Sequence, residues 1–222
     1  MSGGPVVLKL GGRVASGAVR AALAGIDGPV VVVHGAGPQI TAEMARRGIE
    51  PSFVAGRRVT TPAVLDVVRA SLAVVNAELC AAIGPRALGL SGDEIGLQAR
   101  QVDELGLVGD PSPSAPAAVV GALAAGLVPV VAPLAAGPLN VNADEAAAAL
   151  SVGLGADKLL FVTDVTGLLL GGAVASTIRV AEAERLLEAG ELGGGIVPKL
   201  QAAVVATRGG VDATIGATAV VA

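Results

Sequence analysis

The chain alternates short aliphatic runs with longer Ala/Leu-rich stretches. The runs PVVLKL (5–10), PVVVVH (29–34), ALGLS (87–91), GLQARQV (96–102), LVPVVAP (127–133), KLLFVTD (158–164), VDATIG (211–216) and TAVVA (218–222) read as strands. Between them, helices are predicted near Gly17–Gly25, Pro38–Arg47, Pro62–Val75 and Pro116–Ala125, with Ser114 as an N-cap for the last. Further helices are predicted from Asn142, near Ala181–Ala189 and at Pro198–Arg208. Continuously apolar strands joined by helices indicate a mostly parallel sheet covered on both faces, a three-layer α/β/α sandwich. No charge run or low-complexity linker divides the chain, so it reads as a single domain, 1–222, whose two halves share a sheet or pack tightly.

The residues from Pro111 to Ala143 contain no charge and imitate a membrane span. Gly126, Pro129 and Pro133 punctuate that stretch, and it divides into a helix followed by a short strand of a core. No membrane association is expected. With 222 residues, 53% of them apolar and 15% charged, the chain can bury a large core. A net charge of −4 with two Phe and neither Tyr nor Trp offers no basic stripe and no stacking platform, which argues against nucleic-acid binding. Cys80 is the only cysteine, so no disulfide can form within the chain, and its apolar setting, NAELCAAIG, reads as a core thiol. That usage and the lack of a recognisable secretory leader suit the cytoplasm.

Lysine is the residue that changes the picture. There are three, Lys9, Lys158 and Lys199, against twelve arginines. A chain that uses arginine for generic positive charge and keeps a lysine inside an apolar strand needs a compact ammonium there. In parallel α/β sheets, ligands collect at the carboxyl ends of strands, where glycine turns expose N–H groups. KLGGR, HGAGPQI, NVNADEA, TDVTG and GGGIVPK all fall at such positions. GAGPQI has Ile40 where a dinucleotide fingerprint has its third glycine, and no Walker A pattern occurs. Local readings stay open for several residues. His34 suits a strand end, Asp144 suits the first turn of a helix capped by Asn142, Arg58 suits a turn or a carboxylate clamp, and Asp164 suits an Asx turn or a nucleotide contact.

In order, KLGG, HGAGPQI, GRRVT, GLSGDEIGL, NVNADEAA, GADKLLFVTDVTGLL, GGGIVPK and ATRGGVD resemble the acetylglutamate-phosphorylating branch of the amino acid kinase family over nearly the whole chain. The resemblance implies the amino acid kinase (carbamate kinase-like) fold, with residues 1–140 as an acyl-substrate and dimerisation lobe and 141–222 as a nucleotide lobe. It implies transfer of the ATP γ-phosphoryl group to the side-chain carboxylate of N-acetyl-L-glutamate, in arginine biosynthesis, with Mg2+ bridging the phosphates. By matching motifs, Lys9 and Lys199 would stabilise the transferring group and Asp144 would hold both lysines. Gly11, Gly12 and Gly37 would supply backbone donors. Ala36, Gly37, Arg58 and Asn140 would face acetylglutamate. Asp164, Val165, Thr166, Gly167, Leu168 and Leu169, with Glu191, Leu192 and Gly193, would line the nucleotide pocket. No residue is assigned as a protein ligand to metal.

Three departures mark this chain: Ala36 stands where the family has a middle glycine, the loop before Asn140 is short, and most of the segment between VDATI and the terminal strand is missing. With strand residues beginning at about Pro5, the resemblance implies a homodimer insensitive to arginine. The rival readings are a kinase of carrier-linked aminoadipate or glutamate and a non-catalytic ligand-binding member of the fold.

Overall fold

A computed structural model describes residues 3–11, 16–163 and 165–222. In chain order its first half contains β1 (Val6–Leu10), α1 (Ser16–Ala24), β2 (Val30–His34), α2 (Gly37–Arg46), β3 (Phe53–Val54), β4 (Arg57–Arg58), α3 (Pro62–Ile83), β5 (Ala87–Ser91), β6 (Ala99–Gln101) and β7 (Val108–Pro111). The second half continues with α4 (Ala117–Ala124), β8 (Val128–Ala132), β9 (Leu134–Ala135), β10 (Leu139–Val141), α5 (Ala143–Gly153), β11 (Lys158–Val162), β12 (Leu169–Leu170) and β13 (Ala173–Val174). It closes with β14 (Thr177–Arg179), α6 (Val180–Glu188), α7 (Ile196–Arg208), β15 (Asp212–Ile215) and β16 (Thr218–Val221).

One eight-stranded sheet, ordered β14-β16-β15-β11-β1-β2-β8-β5, runs through the molecule. Every neighbouring pair in it is parallel except β15 with β16. The alternation of side chains along a strand splits the apolar residues into two cores. Leu8, Leu10, Val30, Val32 and Val130 pack against α1, α2 and α3, whereas Val7, Val31, Val33 and Val131 pack with α4 to α7. This is the α/β/α sandwich expected from the pattern. Because β1 pairs in register with both β2 and β11, Lys9 lies between Val33 and Phe161 near the middle of the sheet.

Three boundaries differ from the pattern, each for a local reason. The helix expected to stop at Val75 runs on to Ile83, because the residues after it are good helix formers and the stop signal comes only at Gly84, whose φ is +94°. Helix α7 starts at Ile196, two residues ahead of Pro198, since proline is tolerated in a first turn that needs no intrahelical N–H. Ser114 is not the cap of α4: Pro116 holds that position, and Ser114 Oγ is buried without a hydrogen-bond partner. The charge-free stretch became α4 and β8, and among the described residues no helix is long and apolar enough to cross a membrane.

The run GLQARQV holds β6, but the sequence pattern misses its partners β7, β10 and β9 in a second sheet, β6-β7-β10-β9, the edge strand β14 of the central sheet, and two ribbons, β3-β4 and β12-β13. All are strands of two to four residues, too short to show a period. The shortened C-terminal region closes without a gap. β15 turns through Gly216, at φ +55°, directly into β16, and β16 pairs on its other side with β14. A Cβ at Gly216 would come within 2.5 Å of the Thr166 carbonyl oxygen, so this turn requires glycine.

Candidate active site

The site forms where β1 and β2 end beneath the first turn of α5. Asn142 caps α5, its Oδ1 accepting from the N–H groups of Asp144 at 2.8 Å and Glu145 at 3.4 Å. That cap points Asp144 at the sheet, and the helix dipole favours its anionic form. Lys9 leaves β1 on the α5 side and places Nζ 2.7 Å from Asp144 Oδ1, as an ion pair rather than an aligned hydrogen bond. Lys199, on the first turns of α7, donates to Asp144 Oδ2 at 3.4 Å. One carboxylate from the middle of the chain thus holds two ammonium groups from its two ends. Lys9 and Asp144 are each 5% exposed. Burial, followed by the nearby charge of Lys199, lowers the Lys9 pKa against the opposing pull of Asp144.

A cavity of about 230 Å3 opens beside this trio, lined by Lys9, Ala36, Gly37, Arg58, Asn140 and Asp144 among others. Ala36 is the N-cap residue of α2, with φ −140° and ψ 28°, a negative φ between the main allowed regions rather than the left-handed conformation that calls for glycine. Gly37 and Pro38 begin α2, directing its N-terminus to the cavity. Arg58 is 7% exposed, and its guanidinium lies 4.5 Å from the Phe53 ring centroid. It donates to Thr41 Oγ1 at 2.9 Å, Met44 Sδ at 3.1 Å and the Gly37 carbonyl at 3.4 Å. Among the described residues no carboxylate pairs with it. Burial lowers its pKa. A buried guanidinium without an acid, on the wall of a cavity, has donors suited to a carboxylate. Asn140 is fixed by donating to Thr60 Oγ1 at 3.0 Å, and Thr60 in turn donates to the Arg58 carbonyl at 2.7 Å.

Several expected roles need correction. The Gly11 N–H is taken by the Val162 carbonyl at 3.1 Å, so Gly11 is not a free backbone donor. Leu168 is 1% exposed within the core, and its N–H donates to Thr218 Oγ1 at 2.8 Å, so its side chain does not line a pocket. Gly12 and Asp164 lie outside the described residues. Val165, Thr166, Gly167 and Leu169 follow the end of β11, while Glu191, Leu192 and Gly193 follow α6, and none of them lines the cavity beside Lys9. Cys80 is half-buried on α3, packed against the core at its edge and lining a separate cavity.

Sequence reading missed Arg57, Glu145 and Asp110. Arg57 Nε lies 2.9 Å from Glu145 Oε1 and its Nη2 lies 2.9 Å from Asp110 Oδ1. The motifs GRRVT and NVNADEAA contain two of these residues, but nothing in the sequence reveals that they meet. His34 is buried at the end of β2, its Nε2 3.0 Å from the Asn76 amide nitrogen, and burial brings its pKa down to about 4.

A parallel α/β sheet whose strand ends gather one buried and one partly buried ammonium group around one carboxylate, facing an arginine-walled cavity, has the charge to bring an anionic group and an anionic acceptor together. The model of the amino acid kinase family matches residues 4–216, and the chain belongs to that family. It is 43% identical to an acetylglutamate kinase of Frankia alni, over 94% of this chain and 69% of that one. It is 37% identical to the acetylglutamate kinase of Chloroflexus aurantiacus, over 87% of this chain and 82% of the relative. A second Frankia relative, the acetylglutamate kinase of Frankia casuarinae, is matched over only 56% of its length. Among solved structures, smu.665 from Streptococcus mutans UA159 superposes with a TM-score of 0.85 at 27% identity, covering 98% of both chains. The carbamate kinase of Giardia, at 18% identity and a TM-score of 0.68 over 97% of this chain and 93% of its own, shares the fold.

Proposed function

We propose that this protein transfers the γ-phosphoryl group of ATP to the side-chain carboxylate of N-acetyl-L-glutamate, forming an acyl phosphate in arginine biosynthesis. The observation that carries this reading is the buried Lys9–Asp144–Lys199 trio beside a cavity walled by the acid-free Arg58. The curated acetylglutamate kinases it resembles support the substrate. They do not favour a carrier-linked acceptor.

The acceptor carboxylate is already ionised at neutral pH, so the reaction needs alignment and charge neutralisation but no general base. His34, buried and neutral, is accordingly given no proton-transfer role. Arg58 and Asn140 hold acetylglutamate, with the Gly37 N–H at the start of α2 as a backbone donor. Lys9 and Lys199 neutralise the transferring phosphoryl group from two sides, and Asp144 keeps the two cations from separating. Val165, Thr166, Gly167 and Leu169 with the turn Glu191–Gly193 bound the nucleotide by backbone groups and exposed side chains. Magnesium belongs to this reading as the counter-ion of the nucleotide phosphates. Among the described residues no three acidic, histidine or cysteine side chains converge on one point, and Asp144 is already committed to the lysines.

The reading includes a cytoplasmic homodimer. Helix α3 supports it, because the small apolar stripe Ala70, Ala73, Val74, Ala77 and Ala81 is exposed on the side away from its buried residues, with Val74 at 57%. Light scattering tests it, with twice the chain mass expected and the single-chain mass as the contrary result. Hydroxylamine trapping of acyl phosphate from acetylglutamate, glutamate and aminoadipate in parallel tests the activity. Product from acetylglutamate alone is expected, and no product with it, or preference for either of the others, overturns the assignment.

A further inference from the structure

We propose that Arg57 is a positioning residue for the carboxylate substrate: its two ion pairs latch the β3-β4 ribbon, and with it Arg58, onto the first turn of α5 that carries Asp144. Successive residues of a strand point to opposite sides. In β4 this sends Arg58 to Gly37, Thr41 and Met44, and turns Arg57 away to Glu145 and Asp110. A two-residue ribbon has little stability of its own. Within the ribbon Arg58 stacks on Phe53 and Val59 N–H donates to the Ser52 carbonyl at 3.0 Å; its other ties to the body are the bonds of Arg58 to α2, the Thr60 hydroxyl on the Arg58 carbonyl, and Gly56 lying against Pro198, none of which reaches α5.

The latch joins three elements through one side chain. Glu145 follows Asp144 directly on α5, and Asp110 is the third residue of β7, where Arg100 also holds it at 3.1 Å. A planar guanidinium can span two carboxylates on different elements, which an ammonium does less well. Glu145 Oε2 is buried without any other partner, so releasing Arg57 strands a carboxylate that burial already pushes toward its neutral form. The closed pairing is therefore strongly preferred, and it sets the separation between the arginine that grips the acceptor and the trio that neutralises the phosphoryl group.

The proposal rests on Arg58 binding the acceptor, so two measurements keep the two apart. The first is steady-state kinetics with acetylglutamate and ATP on Arg57→Ala, Glu145→Ala, the double variant and Arg57→Lys. Each alanine variant should raise the acetylglutamate KM about tenfold with kcat within about twofold and the ATP KM unmoved, the double variant should match either single one, and lysine should rescue partly. An unchanged KM in Glu145→Ala, or a double variant near the product of the two singles, overturns the latch. The second is amide hydrogen exchange at residues 53–59 of the ligand-free protein, which needs no turnover. Faster exchange in both alanine variants is expected, and wild-type exchange rates in them overturn the latch even if another substrate proves correct. If Arg57→Ala does not fold, Arg57→Leu keeps the apolar stem and serves in both measurements.

Discussion

Lys9 on β1 and Lys199 on α7 approach the two oxygens of the same carboxylate, Asp144, at 2.7 Å and 3.4 Å. The arrangement gives each lysine a structural part beside the chemical one proposed for it. Like charges held this close repel, and only the carboxylate between them makes the buried pair tolerable.

Lys9→Ala and Lys199→Ala should each lower kcat on the order of a hundredfold or more, since each removes a transition-state charge partner. Arginine at either position should not restore it, because a planar fork does not fit the place of a compact ammonium. The burial of the pair adds an expectation about folding. Lys9→Ala leaves half of a buried carboxylate unpaired and should cost about 1–3 kcal/mol in urea unfolding. Turnover near wild type in either alanine variant would remove the lysines from the chemistry.

Arg58→Ala should raise the acetylglutamate KM strongly, by roughly 2–4 kcal/mol of lost binding, with the ATP KM nearly constant. Isothermal titration with acetylglutamate alone gives an independent reading. A variant that loses ATP affinity instead would place Arg58 in the other half of the site.

Ala36→Gly should leave kcat/KM within about twofold. The φ of −140° is negative, outside the left-handed region that requires glycine, so glycine gains no needed conformation there. A large gain in acetylglutamate turnover would mean that the methyl group, not the backbone, limits the wild-type enzyme.

Ala55 and Gly56 form the two-residue turn of the β3-β4 ribbon, at φ +47° and +79°. Left-handed alanine is strained, and asparagine is the preferred first residue of such a turn. Ala55→Asn should therefore stabilise the protein by about 0.5–1 kcal/mol in urea unfolding. Destabilisation would show that the alanine methyl group makes a contact worth more than the strain.

His34 makes stability depend on pH. Its folded pKa, about 4, lies below the unfolded value near 6.5, chiefly through burial and also through the charge of Lys9. The unfolded chain therefore takes up a proton before the folded one does. The contribution is complete above pH 6.5 and is lost as pH falls from there toward 4. Relative to His34→Gln, the wild type should lose about 2 kcal/mol between pH 7.5 and pH 5. Parallel pH dependence of the two proteins would mean that the imidazole is hydrated or partnered when charged.

The apolar runs and the glycine turns after them were enough to specify the central sheet apart from its edge strand β14, its two helical layers and the edge on which chemistry gathers. Those features depend on period and turn chemistry, which are local properties of the chain. The scarcity of lysine singled out Lys9, and the order of motifs brought in Lys199 and Asp144. Tertiary structure decided the rest. Only the pairing of β1 with β11 and the packing of α7 against α5 bring the two lysines to one carboxylate. The same folding spent the Gly11 N–H on Val162, turned Leu168 into the core, and joined Arg57 to Glu145 and Asp110. Strands of two or three residues leave no periodic trace, and the partner of a buried charge is set by distance in space rather than along the chain, so neither could be read from the residues alone.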